Sequence, residues 1–245
     1  WDGKHTYEFP VIIDNMMNLE MLCYVSDLTG DTKYKDVAIS HATQTMKNHF
    51  RKDHSTYHVV DYDGNGHAIH QQTNQGYADN STWARGQAWA IYGFTMMYRE
   101  TKKPEFLKTA KAAAKFYMTH PNLPKNKIPY WDFNAGKPGY KSDADFSSLK
   151  LNFVPRDASA AAIVASALIE LSTMTTGTES KSYLTFAQES LQTLSGATYF
   201  AKYASNGGFL LQHSVGSLPH HSEIDVPLTY ADYYYLEGLT RLEQL

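Results

Sequence analysis

Across 245 residues there is one cysteine, Cys23, so no intrachain disulfide can form, and one thiol says nothing about compartment. Net charge is only −3, which excludes the basic footprint of a nucleic-acid binder. No apolar run is long enough to span a membrane. There is no P-loop, no dinucleotide glycine motif and no Gly-x-Ser-x-Gly elbow. His67 and His70 form an H-x-x-H and His220-His221 are adjacent, but neither has a Cys or carboxylate framework at metal spacing. No metal and no cofactor are therefore expected. No signal-peptide pattern is visible; the chain opens at Trp1-Asp2-Gly3 without a Met, which leaves a removed leader open.

What is present is apolar mass and aromatic surface. The chain is 42% hydrophobic, with 18 Tyr, 11 Phe and 4 Trp, enough for one large core or two small ones. Tyr and Trp also suit sugar faces, being flat and amphipathic. Helical periodicity recurs in pairs. The expected helices are 11–28 and 34–49, then 82–101 and 106–120, then 157–174 and 183–194, and a last one at 228–244. Short turns join each pair, as at Thr29-Gly30-Asp31. Three helix hairpins plus one helix, at a period of about 75 residues, read as an αα-repeat that closes into an all-α, α/α toroid. The links 51–80, 121–155 and 198–227 are long, with strand candidates at 57–62 and 208–212. Loops of that length in a compact domain are usually functional. The end they decorate is the expected working end, reached by Asp14, Arg85, Arg156-Asp157 and Tyr230-Asp232 at the starts of first-of-pair helices.

The stretch 81–93 breaks local rules. Asn80 and Ser81 are good N-caps for a helix there. Arg85 then faces the positive end of the helix dipole. Gly86 and Gly93 each cost about 1 kcal/mol against Ala in a helix interior. Arg85 and Trp89 are four apart and share a face. Two readings stay open. One is a fork of donors beside an indole, suited to an anionic ring. The other is a buried Arg–Asp pair, with Asp157 or Asp232 as partner, beside a core Trp. Asp14 lies in Val-Ile-Ile-Asp-Asn-Met-Met, an apolar setting that raises a carboxyl pKa and suits a general acid. A helix-start Asp is the plain alternative. His58 and Gln75 are, on their own, a structural histidine and a solvated loop residue.

Trp83-Ala84-Arg85-Gly86-Gln87-Ala88-Trp89 resembles the signature of unsaturated glucuronyl hydrolases, glycoside hydrolase family 88. Similar stretches follow in family order: 12–19, Pro129-Tyr130-Trp131-Asp132-Phe133, 156–162 and 222–227. The resemblance implies a six-hairpin (α/α)6 barrel, and a substrate that ends in a 4,5-unsaturated uronic acid left by polysaccharide lyases, often from glycosaminoglycans. It implies Asp14 as the acid and base, His58 close to the substrate, and Gln75, Arg85 and Trp89 as sugar-binding residues. Ser217 matches the first of a Ser/Ser/Lys cluster in members acting on sulfated fragments, whereas the other two positions read His220 and Ser222. The implied setting is bacterial, cytoplasmic or periplasmic, with oligomeric state left open. The alternatives are an unsaturated rhamnogalacturonyl hydrolase, an N-acylglucosamine-epimerase-like isomerase, and a non-catalytic sugar binder. Residues 1–245 are expected to be one toroid domain in its C-terminal portion. Family members carry a preceding stretch with a second important Asp, so either N-terminal helices lie outside this sequence or the helices form an open arc.

Overall fold

The computed structural model describes residues 6–245. Seven α-helices dominate: α1 (Leu19–Thr29), α2 (Lys33–Asn48), α3 (Ala84–Thr101), α4 (Pro104–Thr119), α5 (Ala158–Thr173), α6 (Gly177–Leu194) and α7 (Thr229–Glu243). α1, α3, α5 and α7 form an inner row in which each packs on the next, while α2, α4 and α6 pair with the inner helix that precedes them. α3 and α5 are buried nearly all round, as helices of a shared core must be. α1 and α7 end the row and are not packed along each other. They flank a cleft of about 1230 Å³. The arrangement is that of an α/α toroid, present here as an arc. Among the described residues, no helix is long and apolar enough to cross a membrane.

The first expected helix does not begin at residue 11. Residues Phe9–Ile12 form a strand, β1, that pairs antiparallel with β2 (Val59–Tyr62), which in turn pairs with β3 (Ala68–Gln72). Pro10 and the β-branched Val11-Ile12 suit an extended edge better than a helix. A 3-10 helix, Ile13–Asn18, then leads into α1. Asp14 is therefore carried by a tight turn held to the sheet. The Ile13 N–H donates to the His58 carbonyl at 2.9 Å, one step beyond the Ile12–Val59 pair. That register sets Asp14 beside His58.

The Asn80-Ser81 cap is not used either. α3 starts at Ala84 with Trp83 in extended conformation and no side-chain cap. The Ser81 hydroxyl instead donates to Asp132 at 2.6 Å, and Thr82 N–H and Ala84 N–H are taken by Asn134 Oδ1 and the Trp131 carbonyl. These contacts keep 81–83 extended as a short pair with residues around 132. α6 begins at Gly177, ahead of the expected Tyr183. The strand expected at 208–212 reduces to one bridge, Phe200–Leu211. The real hairpin lies further on, β4 (Ser214–Ser217) with β5 (Ser222–Val226).

The helix-interior glycines have a packing reason. A Cβ at Gly93 would stand 2.4 Å from Met16 Cβ and 3.1 Å from its carbonyl carbon, and one at Gly86 would meet Trp83 at 2.9 Å and Ile13 at 3.2 Å. Both glycines let the Asp14-bearing turn lie directly on α3. Gly93→Ala gains about 1 kcal/mol of helix propensity. It must still push the turn outward, and overpacking of a core costs about 1–3 kcal/mol. We expect a net loss of stability in urea denaturation, with activity falling as Asp14 moves.

Candidate active site

Four elements meet at one end of the arc. Asp14 comes from the 3-10 turn, Arg85 and Trp89 from α3, Asp157 from the start of α5, and Tyr230 from the start of α7. The first long link contributes His58 and Gln75, and the β4–β5 hairpin contributes the carbonyls of Val215 and Gly216.

Asp14 is partly open, with 24% of its side chain exposed, and its Oδ2 lies 3.5 Å from His58 Nε2. Neither of these buried atoms has a hydrogen-bond partner among the described residues. Burial raises the Asp14 carboxyl to about 6, against the opposing pull of the Arg85 charge, its own backbone N–H and the Trp89 indole N–H. His58 is fully enclosed. Its Nδ1 accepts the backbone N–H groups of Asn74 at 3.1 Å and Gln75 at 3.0 Å. A neutral imidazole that accepts at Nδ1 carries its proton on Nε2. Burial, followed by the charges of Arg85, His49 and His220, holds His58 well below the usual histidine range. The ring is thus neutral, with Nε2–H turned toward Asp14. It also packs on Trp83, 4.5 Å between centroids.

Arg85 is 3% exposed and its charge is compensated within the protein. Nη1 donates to Asp157 Oδ2 at 3.0 Å and to the Val215 carbonyl, and Nη2 donates to the Gly216 carbonyl at 2.5 Å. The guanidinium lies 4.4 Å over Trp83 and 5.4 Å from the Tyr230 ring. The buried Arg–Asp pair is therefore present, and Asp157 is the partner. Asp232 serves elsewhere, accepting the N–H groups of Leu210 and Leu211 at 2.8 Å each. Arg156 turns away to the Ile128 carbonyl at 2.5 Å.

Gln75 Nε2 donates to the same Gly216 carbonyl at 2.9 Å. Trp89, 5% exposed, packs edge-on against Tyr234 at 5.3 Å and tilted to Tyr230 at 6.4 Å. Ser217, at the end of β4, contacts His220 Nδ1 at 2.6 Å through its hydroxyl. It lies at the hairpin's far end, beyond Gly216. Trp131, a possible sugar platform by sequence, is 2% exposed and anchors a loop against Tyr77 and Phe146. The sequence assigns no role to Trp83, and none to Tyr230 beyond its place at the working end. Trp83 is the wall between His58 and Arg85, and burial pushes the Tyr230 phenol far above its usual range beside Arg85, Asp157, Glu223 and Asp14. Only the presence of Trp83 in the motif and of Tyr230 at a helix start hinted at them.

The arrangement offers a carboxyl that holds a proton to near-neutral pH, a neutral N–H donor facing it, and a guanidinium beside both. That set can protonate carbon or oxygen and then accept a proton from water. Comparison with known proteins agrees in kind. The chain is 50% identical over 247 residues to an unsaturated glucuronyl hydrolase of Formosa agariphila, covering 100% of this chain and 58% of that protein. It is 34% identical over 236 residues to an unsaturated chondroitin disaccharide hydrolase of Streptococcus pyogenes, covering 96% and 55%. Among solved structures, an unsaturated glucuronyl hydrolase specific for heparin superposes with a TM-score of 0.88 at 46% identity, covering 98% of this chain and 62% of that one. The chain thus spans about three-fifths of the length of these relatives. Residues 1–244 match the sequence profile of Glycosyl Hydrolase Family 88, and the chain belongs to that family.

Proposed function

We propose that the protein containing this chain removes the terminal 4,5-unsaturated uronic acid from lyase-generated oligosaccharides, glycosaminoglycan-derived, by hydrating the C4=C5 bond. Residues 1–245 belong to its single α/α toroid domain. The observation that carries the reading is Asp14: a carboxyl raised to about 6 and faced by the neutral His58 Nε2. The names of relatives support the substrate class, and one solved relative is described with dGlcA-GalNAc6S.

The C4=C5 bond of such a sugar is a vinyl ether to the ring oxygen. Protonation at C4 by Asp14 places oxocarbenium character on C5 and the ring oxygen. The Asp14 carboxylate then takes a proton from water as its oxygen bonds to C5. The resulting hemiketal opens to a C5 ketone, and the freed C1 hemiacetal expels the aglycone. One carboxyl serves as acid and then base, so the paired-carboxylate spacing of ordinary glycosidases does not apply. Gln75 and Arg85 both donate to the Gly216 carbonyl, and a ligand carboxylate would be received by these two donors in place of that carbonyl. Trp89 flanks the ring, His58 Nε2–H bonds a ligand oxygen, and Ser217 faces the aglycone side.

The pH dependence follows with its sign. The acid form of Asp14 starts the reaction, and it is present in the free protein below about pH 6 and lost above it. kcat/KM should therefore hold on the acid side and fall about tenfold per pH unit above about 6. A flat profile from pH 5 to 8 would remove Asp14 as the acid. Ultraviolet absorbance of the unsaturated uronate gives the primary test on a panel of lyase-generated disaccharides. Hydrolysis abolishes it, whereas an isomerase or a binding protein leaves it intact.

A further inference from the structure

Arg85 is bonded to one carboxylate, Asp157, while a second, Asp14, lies at the same end of the arc and feels its charge. Asp157 Oδ2 takes Nη1 at 3.0 Å, while Asp14 Oδ2 makes no hydrogen bond although the Arg85 charge is felt there. Asp157 is itself fixed. It is fully buried and is the N-cap of α5, with Oδ1 accepting Ser159 N–H at 3.1 Å, Ala160 N–H at 3.4 Å and the Ser159 hydroxyl at 2.5 Å. Its two oxygens thus have separate tasks: one is tied to a helix N-terminus, the other to the guanidinium. The Val215 and Gly216 carbonyls pull Arg85 the same way, toward the β4–β5 hairpin. We propose that Asp157 is a positioning residue that holds the Arg85 guanidinium off Asp14, leaving the Asp14 carboxyl free to carry and deliver a proton.

The other groups around Asp14 do not replace this function. His58 is neutral and presents an N–H, Trp89 presents an indole N–H, and Tyr230 is a phenol kept protonated. Around Arg85 lie the Trp83 and Tyr230 rings and two carbonyls, and Glu223 on β5 stands against Gly216 and faces Tyr230. Without Asp157, the carboxylates left at this end of the arc are Asp14, where the Arg85 charge is already felt, and Glu223, which stands against Gly216. A guanidinium bonded to Asp14 would hold that carboxyl ionised.

The proposal rests on the hydration reading, and its test separates the two. In the whole protein, Asp157→Asn and Asp157→Ser both keep a good N-cap and remove the charge. Each should move the alkaline limb of kcat/KM on a lyase-generated disaccharide at least one pH unit lower, and lower the rate at pH 7 at least tenfold. Asp157→Glu keeps the charge and should leave the limb in place while raising KM. An unmoved limb in folded Asn and Ser variants would overturn the proposal, as would an equal shift with Glu. Loss of folding in both neutral variants, read by circular dichroism, would make Asp157 a structural residue and overturn it too. Titration of the Asp14 carboxyl by ¹³C NMR reads the same shift without turnover. A lowered Asp14 pKa in the Asn and Ser variants, alongside a wild type inactive on every disaccharide, would uphold the positioning and reject the hydration reading.

Discussion

Replacing Asp14 by Asn in the whole protein should lower kcat by about 10²–10⁴-fold, the contribution of a positioned acid–base group, with little change in substrate binding. The amide is nearly isosteric and keeps an oxygen toward His58 Nε2, which lies 3.5 Å from Asp14 Oδ2. It cannot give a proton to carbon. The surrounding fold has no reason to change, because Ile13 is held through its backbone to His58 and Met16 packs against Gly93. Single-turnover rates with binding measured separately decide the matter. Near-wild-type turnover would remove Asp14 from the chemistry, and a large loss of binding with normal chemistry would make it a substrate-holding group.

Arg85→Met should cost about 3–5 kcal/mol of stability, the usual penalty for breaking a buried ion pair from one side. Asp157 is fully buried and would lose its ion-pair partner, and the Val215 and Gly216 carbonyls would each lose a donor. Chemical denaturation reads this directly. Arg85→Met/Asp157→Leu should recover part of the loss, because removing both partners is far cheaper than orphaning one. A single variant as stable as the wild type would mean that the pair contributes nothing to the fold. Activity carries the second function proposed for Arg85. If the guanidinium also receives a ligand carboxylate, a neutral hydroxymethyl analogue should be indifferent to Arg85→Lys, while the acid binds more weakly. Equal losses for both would confine Arg85 to its structural pair.

The hairpins were legible because their information is local. Apolar spacing sets 33–48 and 104–119, and Gly30, at φ 73, ends α1 where the Thr-Gly-Asp turn indicates. The start of the chain misled for the opposite reason. Its apolar run fits a helix as well as a strand, and what decides is Val59, far along the sequence, which supplies the partner for Ile12. Ser81 failed as a cap because Asp132 takes its hydroxyl, again a distant partner. At the candidate site, Asp14, Arg85 and Trp89 stood out by setting and motif and His58 and Gln75 only by the family resemblance, and the structure brings them to one end of the arc. Their pairings were not legible: Asp157 lies 72 residues from Arg85, and a choice between Asp157 and Asp232 needs coordinates. The helix-interior glycines were visible as rule-breaking, yet Met16 and Ile13 as their cause were not.

Turnover in D2O tests the central claim most directly. If Asp14 delivers a solvent-exchanged proton to C4, the released keto-uronate should carry one deuteron at C4, formed as the double-bond absorbance disappears and the aglycone is freed. Asp14→Asn should suppress all three events together. Release of the aglycone with no deuterium at C4, or with the C4=C5 bond intact, would contradict hydration of the double bond.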